Sequence, residues 1–362
     1  MKRPKFASVA LKVAAFVLIA AVFFIVLEGL SSTIIATLQV LDKPQTEASR
    51  YDREIGWVGR TNADIPDMYG PGEYVRTNSL GFRNEAETAV SVPDGRVRII
   101  CSGDSFTYGQ GVANDDTWCH RLTGLDGRLE TVNMGQPGYG VDQMFLWYSR
   151  DGIPLEHSIH IFGFVHGDLD RMGRLDQYGY GKPVLRLEQG ELVPDKVPVP
   201  RFRWWVNRTV QRADLRSLDL ARRVMAKLSS GGGAGTSQEA LRLVAFEVFR
   251  ELKQLSVENN VATVIVFFPT QRELEGESTW RPWVTETMHT LGLPLIDLTP
   301  TLREVPAGQA GSFFITAPSP AAGHYTEAGN EWVADQIYRR LMEQPQIRNI
   351  LDESEQSGAG SD

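Results

Sequence analysis

Val97-Arg98-Ile99-Ile100-Cys101-Ser102-Gly103-Asp104-Ser105-Phe106-Thr107-Tyr108-Gly109 passes from a β-type apolar run through a small-residue turn into a helical start. That order puts Ser105 at the carboxyl edge of a sheet, where open α/β folds bind their ligands. At the first turn of a helix the backbone N–H groups lack intrahelical acceptors, and the positive end of the helix dipole lies beside them. An oxyanion formed there is stabilised. Ser105 is therefore the first candidate nucleophile, with a helix N-cap as its plain structural alternative.

Outward from this segment, strands alternate with helical stretches, the pattern of a parallel sheet covered on both faces. Strands are expected at Val97–Cys101, Glu130–Asn133, Ile159–Val165, Ala262–Phe268 and Leu295–Asp297, giving a doubly wound α/β domain. Leu241, Val244, Ala245, Val248, Phe249, Leu252 and Leu255 recur at helical spacing and mark a helix packed on the sheet. Residues 169–237 form an insertion. In it Pro183 to Pro194 reads as a hairpin turning near Gln189-Gly190, and Trp204-Trp205 among arginines reads either as a sugar or lipid-headgroup surface or as a membrane-facing or core aromatic pair. The stretch Ser229–Gly235 reads as a flexible loop. The expected division is an anchor over 1–30, a stalk and irregular arm over 31–90, the α/β domain over 91–345, and a disordered acidic tail over 346–362.

The chain has 362 residues, 42% hydrophobic and 23% charged, with a formal net charge of -8. The acidic balance and the absence of a basic cluster argue against a nucleic-acid partner. Two cysteines rule out both a disulfide framework and a cysteine-built zinc site. Lys2, Arg3 and Lys5 precede an apolar stretch from Ala7 to Leu27, broken only by Lys12 and a serine. With Lys12 snorkelling, its length approaches the ~20 residues that span a bilayer. An uncleaved single-pass anchor is expected, the alternative being a cleaved signal peptide. In both cases the positive flank places the N-terminus in the cytoplasm and the domain outside the plasma (inner) membrane, in the periplasm or its equivalent.

A serine hydroxyl needs a base to take its proton. His324, in Gly323-His324-Tyr325-Thr326-Glu327 after the last expected strand and before an amphipathic helix, falls at the same sheet edge as Ser105. Asn133-Met134-Gly135-Gln136-Pro137-Gly138 follows the second strand. Its glycines let a backbone N–H approach a ligand, which makes Gly135 a candidate oxyanion donor.

Together these blocks resemble the SGNH/GDSL hydrolase family over roughly residues 97–341. Gly103-Asp104-Ser105 matches its nucleophile block, Asn133, Gly135 and Gly138 its second block, and His324 its histidine block. Ile55-Gly56-Trp57 and Asn78-Ser79-Leu80-Gly81-Phe82-Arg83 resemble segments of membrane-anchored bacterial members. The resemblance implies a three-layer α/β/α flavodoxin-like domain, a Ser105 nucleophile, a His324 base, and an oxyanion hole from the N–H groups of Ser105 and Gly135. Two positions depart from it. Gly167 stands where the third block has an asparagine donor, and Ala321 stands where an aspartate three residues before the histidine orients the ring. His166, Asp168 and Asp297 are the candidate substitutes, while Asp104 is read as fixing the serine loop through backbone hydrogen bonds.

The expectation is a membrane-anchored esterase that acts on O-acyl, foremost O-acetyl, groups of an envelope or exported glycan, with no metal or organic cofactor. An O-acyltransferase on the same substrates and a non-catalytic glycan-binding protein on the same fold are the alternatives.

Overall fold

The computed structural model describes residues 5–41, 47–177, 180–199, 215, 217–218, 220–221, 237–274, 276 and 278–358. Five parallel strands form the central sheet: β3 (Val97–Gly103), β4 (Leu129–Gly135), β5 (Ile159–Phe164), β8 (Ala262–Phe267) and β9 (Leu295–Asp297), in the order β9-β8-β5-β3-β4. All five expected strands are present, and β3 and β4 each run two residues further toward their carboxyl ends than the apolar pattern indicated. The strands are apolar on both faces because both faces are covered. Ile100, Val132, Phe162, Ile265 and Phe267 pack against α4 (Val141–Trp147), α6 (Gln238–Glu258) and α7 (Arg281–Leu291). Ile99, Cys101, Ile161, Val264 and Val266 face α3 (Trp118–Leu125), α8 (Glu327–Met342) and α9 (Pro345–Gly358).

The N-terminal helix α1 (Lys5–Leu41) is longer than the expected anchor and takes in the first part of the expected stalk. Its polar residues are accommodated by back-bonding, Thr33 Oγ1 to the Gly29 carbonyl and Thr37 Oγ1 to the Thr33 carbonyl, both at 2.9 Å. Within it Leu11–Ile34 is a 24-residue apolar stretch, about 36 Å at 1.5 Å per residue, enough for a hydrocarbon layer of about 30 Å.

The arm that follows contains a hairpin, β1 (Ser49–Asp52) and β2 (Gly56–Gly59). It lies against the domain through buried hydrogen bonds: Trp57 Nε1 to the Pro137 carbonyl at 3.1 Å, and Gln143 Nε2 to the Ile55 carbonyl at 2.8 Å. In the insertion, β6 (Val184–Glu188) pairs with β7 (Glu191–Asp195). Gln189 and Gly190 both have positive φ, 56° and 88°, the conformation a two-residue hairpin turn requires. Trp204, Trp205 and the Ser229–Gly235 loop lie outside the described residues.

The tail differs from expectation. Residues 346–358 are helical, not disordered, and Ile347 and Leu351 are each 1% exposed within the core. Four residues apart, they share one helix face, and the acidic and small residues around them obscure that pair in the composition. Leu351→Ala is expected to destabilise the protein by about 2–5 kcal/mol in chemical denaturation. Val257→Ala, at a position 73% exposed, is expected to change stability by less than about 0.5 kcal/mol.

Candidate active site

Three glycines stand in one row across the sheet, Gly135 of β4, Gly103 of β3 and Gly163 of β5, aligned by strand register. On this row sits the four-residue helix α2 (Ser105–Tyr108). A Cβ on Gly103 would lie 2.0 Å from Thr107 Oγ1, and one on Gly135 would lie 2.1 Å from the Tyr108 backbone nitrogen. Only glycine permits this approach. Asp104 caps the helix, its Oδ1 accepting from the Phe106 N–H at 2.8 Å. Ser105 is thus the first helical residue, not the cap, and its own N–H has no intrahelical acceptor.

Ser105 Oγ and His324 Nε2 are 2.8 Å apart. His324 Nδ1 is 2.9 Å from the Ala321 carbonyl oxygen, which as an acceptor fixes the proton on Nδ1 and leaves Nε2 to accept from the serine. The ring packs on Phe106, centroid to centroid 4.9 Å. Burial lowers the proton affinity of His324 below its ordinary value, while the Ala321 carbonyl and the Asp104 carboxylate partly oppose this.

Neither aspartate offered as an orienter meets His324. Asp297 binds Arg281 Nε at 2.5 Å and the Thr299 N–H at 2.9 Å. Asp168 accepts from the Val165 N–H at 2.9 Å and pairs with Arg171. Arg171 also reaches Asp104 Oδ2 at 3.1 Å, so two fully buried carboxylates flank one guanidinium. Burial and the neighbouring Asp104 charge hold the Asp168 carboxyl well above the usual range.

Gly135, the expected oxyanion donor, does not present a free N–H. Its N–H is taken by Asn133 Oδ1 at 2.9 Å, and its role is the steric one described above. Three residues on, Gly138 turns with φ 81°, and its N–H has no acceptor among the described residues. His166 opens α5 (His166–Arg171) directly after β5 and puts Nδ1 2.8 Å from Glu273 Oε1. Glu273 stands outside the sequence expectations, although Thr270-Gln271-Arg272-Glu273 is a capping-box pattern. The Thr270 N–H donates to Glu273 Oε2 at 2.7 Å.

Lys182, equally unforeseen, is fully buried with Asp142 at 2.7 Å and donates to the Arg171 carbonyl at 3.0 Å. A second serine–histidine contact, Ser102 Oγ to His160 Nε2 at 2.9 Å, lies in the middle of the sheet. His160 is fully buried and stacked on Tyr148 at 3.5 Å. No substrate reaches that pair, so it is a packing contact.

No protein-family model and no curated protein matches the chain. Among solved structures, an acetyl xylan esterase has 12% identity and a TM-score of 0.40, covering 67% of this chain and 98% of that one. A member of the lipolytic protein G-D-S-L family from Veillonella parvula has 13% identity and a TM-score of 0.38 over 67% and 97%. A lipase/acylhydrolase from Enterococcus faecalis has 13% and 0.37 over 68% and 96%. All are distant likenesses, and none of them assigns a reaction to this chain.

Gly135→Ala is expected to destabilise the protein by about 1–3 kcal/mol, because the added carbon meets backbone that cannot swing away. Gly308→Ala, where nothing lies within 4 Å of the added carbon, is expected to be neutral or slightly stabilising in the same denaturation experiment.

Proposed function

We propose that the protein is a membrane-anchored serine esterase of the extracytoplasmic side, removing O-acyl groups, O-acetyl foremost, from an envelope or exported glycan. The observation that carries this reading is the 2.8 Å contact between Ser105 Oγ and His324 Nε2 at the amino end of a helix. A hydroxyl there has a base on one side and unspent N–H donors on the other.

In the proposed reaction Ser105 Oγ bonds to the ester carbonyl carbon as its proton passes to His324 Nε2. The N–H groups of Ser105 and Gly138 receive the developing oxyanion, with Gly138 in place of Gly135. The bond to the alcohol oxygen then breaks, and the proton on Nε2 goes to that oxygen. Water repeats the sequence on the acyl-enzyme and releases the acid. The Ala321 carbonyl does for the ring what a carboxylate does in a triad, holding Nδ1–H, but it adds no full negative charge to the imidazolium. The glycan substrate class rests on the family resemblance and on the apolar helix at the N-terminus.

Ser105→Ala is expected to abolish labelling by a fluorophosphonate probe and to lower kcat on p-nitrophenyl acetate by about 10³-fold or more. Wild-type protein that neither labels nor hydrolyses the ester would refute the proposal. Since burial lowers the His324 pKa, the ring stays neutral and able to act as base into mildly acidic solution. The acid limb of kcat/KM is therefore expected below the ordinary histidine value of about 6.5. A limb above that value contradicts the assignment of His324 as the base.

A further inference from the structure

We infer that His166, oriented by Glu273, reads a free hydroxyl on the alcohol part of the ester, so that the site prefers partly acylated polyols to esters with no neighbouring hydroxyl. This rests on the esterase reading above and names a substrate feature that the reading leaves open.

The strand register places His166 at the same sheet edge as Ser105. Gly163 of β5 pairs with Gly103 of β3, and each strand ends within a few residues, at Phe164 and Gly103, leading directly to His166 and Ser105. Glu273 is 2% exposed, an unusual setting for a carboxylate. Its two oxygens are divided. Oε1 faces His166 Nδ1, and Oε2 takes both the N–H and the hydroxyl of Thr270, at 2.7 and 2.5 Å. These bonds, the one to His166 foremost, hold its pKa below the ordinary value in spite of burial.

A buried carboxylate is thus dedicated to one partly exposed imidazole, 23% exposed, while His324 has only a carbonyl. With Nδ1–H donating to Glu273 Oε1, Nε2 of the ring in its neutral form is an acceptor. It has no partner among the described residues. An acceptor is the wrong polarity for an oxyanion hole and the right one for an alcohol O–H. Next to it Gly167 leaves room, for an added carbon there would meet nothing nearer than Arg171 Nη2 at 3.9 Å.

The test compares a methyl xyloside monoacetate with the corresponding peracetate, which carries the same ester type but no free hydroxyl. His166→Ala in the full-length protein is expected to lower the ratio of kcat/KM for monoacetate over peracetate about tenfold, mainly through KM, the loss of one hydrogen bond. Glu273→Gln should do the same with the ring still in place. Thr270 retains the amide oxygen, the amide NH₂ then faces Nδ1, and the proton moves to Nε2. Activity falling equally on both esters would instead make His166 an oxyanion donor and overturn the inference, as would an unchanged ratio.

If the wild type hydrolyses neither ester, the esterase reading fails, and histidine ¹⁵N spectra of the Ser105→Ala protein judge His166 separately. Millimolar monoacetate is expected to shift His166 Nε2 while peracetate is not. An Nε2 signal unmoved by both sugars, moved by both alike, or already protonated overturns the inference.

Discussion

Everything at the sheet edge depends on how closely α2 can approach the strands beneath it. Gly135 and Gly103 remove two side chains from the place where that helix lands, Gly163 removes one that would meet the Phe268 ring at 2.4 Å, and strand register brings the row together from segments up to 60 residues apart. With the helix seated, Asp104 caps it, the Ser105 N–H stays unspent, and the serine hydroxyl meets His324. The far end of the same helix is held by the N-terminal arm. Arg83 is 4% exposed and donates to the carbonyls of Tyr108, Gly109 and Val112, each at 2.6 Å. The arm is therefore part of the support of the site and not a covering laid on a finished domain.

A second support is ionic. Asp142 and Lys182 form a fully buried pair, Lys182 also holds the last carbonyl of α5, and the guanidinium at that helix end lies between Asp104 and Asp168. Such pairs are poor sources of stability, because desolvation offsets most of their attraction, yet removing one partner leaves an uncompensated buried charge. They therefore specify position. Through Lys182 the insertion, which breaks the α/β pattern in the sequence, is tied to the aspartate that caps the serine helix.

The α/β alternation was legible because apolar runs of strand length leave few alternatives. The serine and the histidine were legible because a small-residue turn after a strand and a glycine-flanked histidine before a helix are local patterns. Gly135 shows the limit of such patterns. The pattern marks the position for glycine, and the constraint there is the backbone of Tyr108, 2.1 Å from an added Cβ. Asp297 ends a strand and Asp168 follows one, where a carboxylate for His324 is expected, and their partners prove to be Arg281 and Arg171. Composition makes the tail look disordered because it averages away Ile347 and Leu351, the two apolar residues that dock it.

By itself the sequence determined the strand succession, the apolar N-terminal helix and the pair of residues that meet at the sheet edge, since each is encoded in a short run of neighbours. What each polar group near that edge is bound to follows from the packing in three dimensions. The Ala321 carbonyl on His324, Glu273 on His166, and Lys182 beneath Arg171 join residues brought close by the turns and layers of the fold. A hydrogen bond depends on a few tenths of an ångström and on direction, and neither is encoded in residue type or spacing.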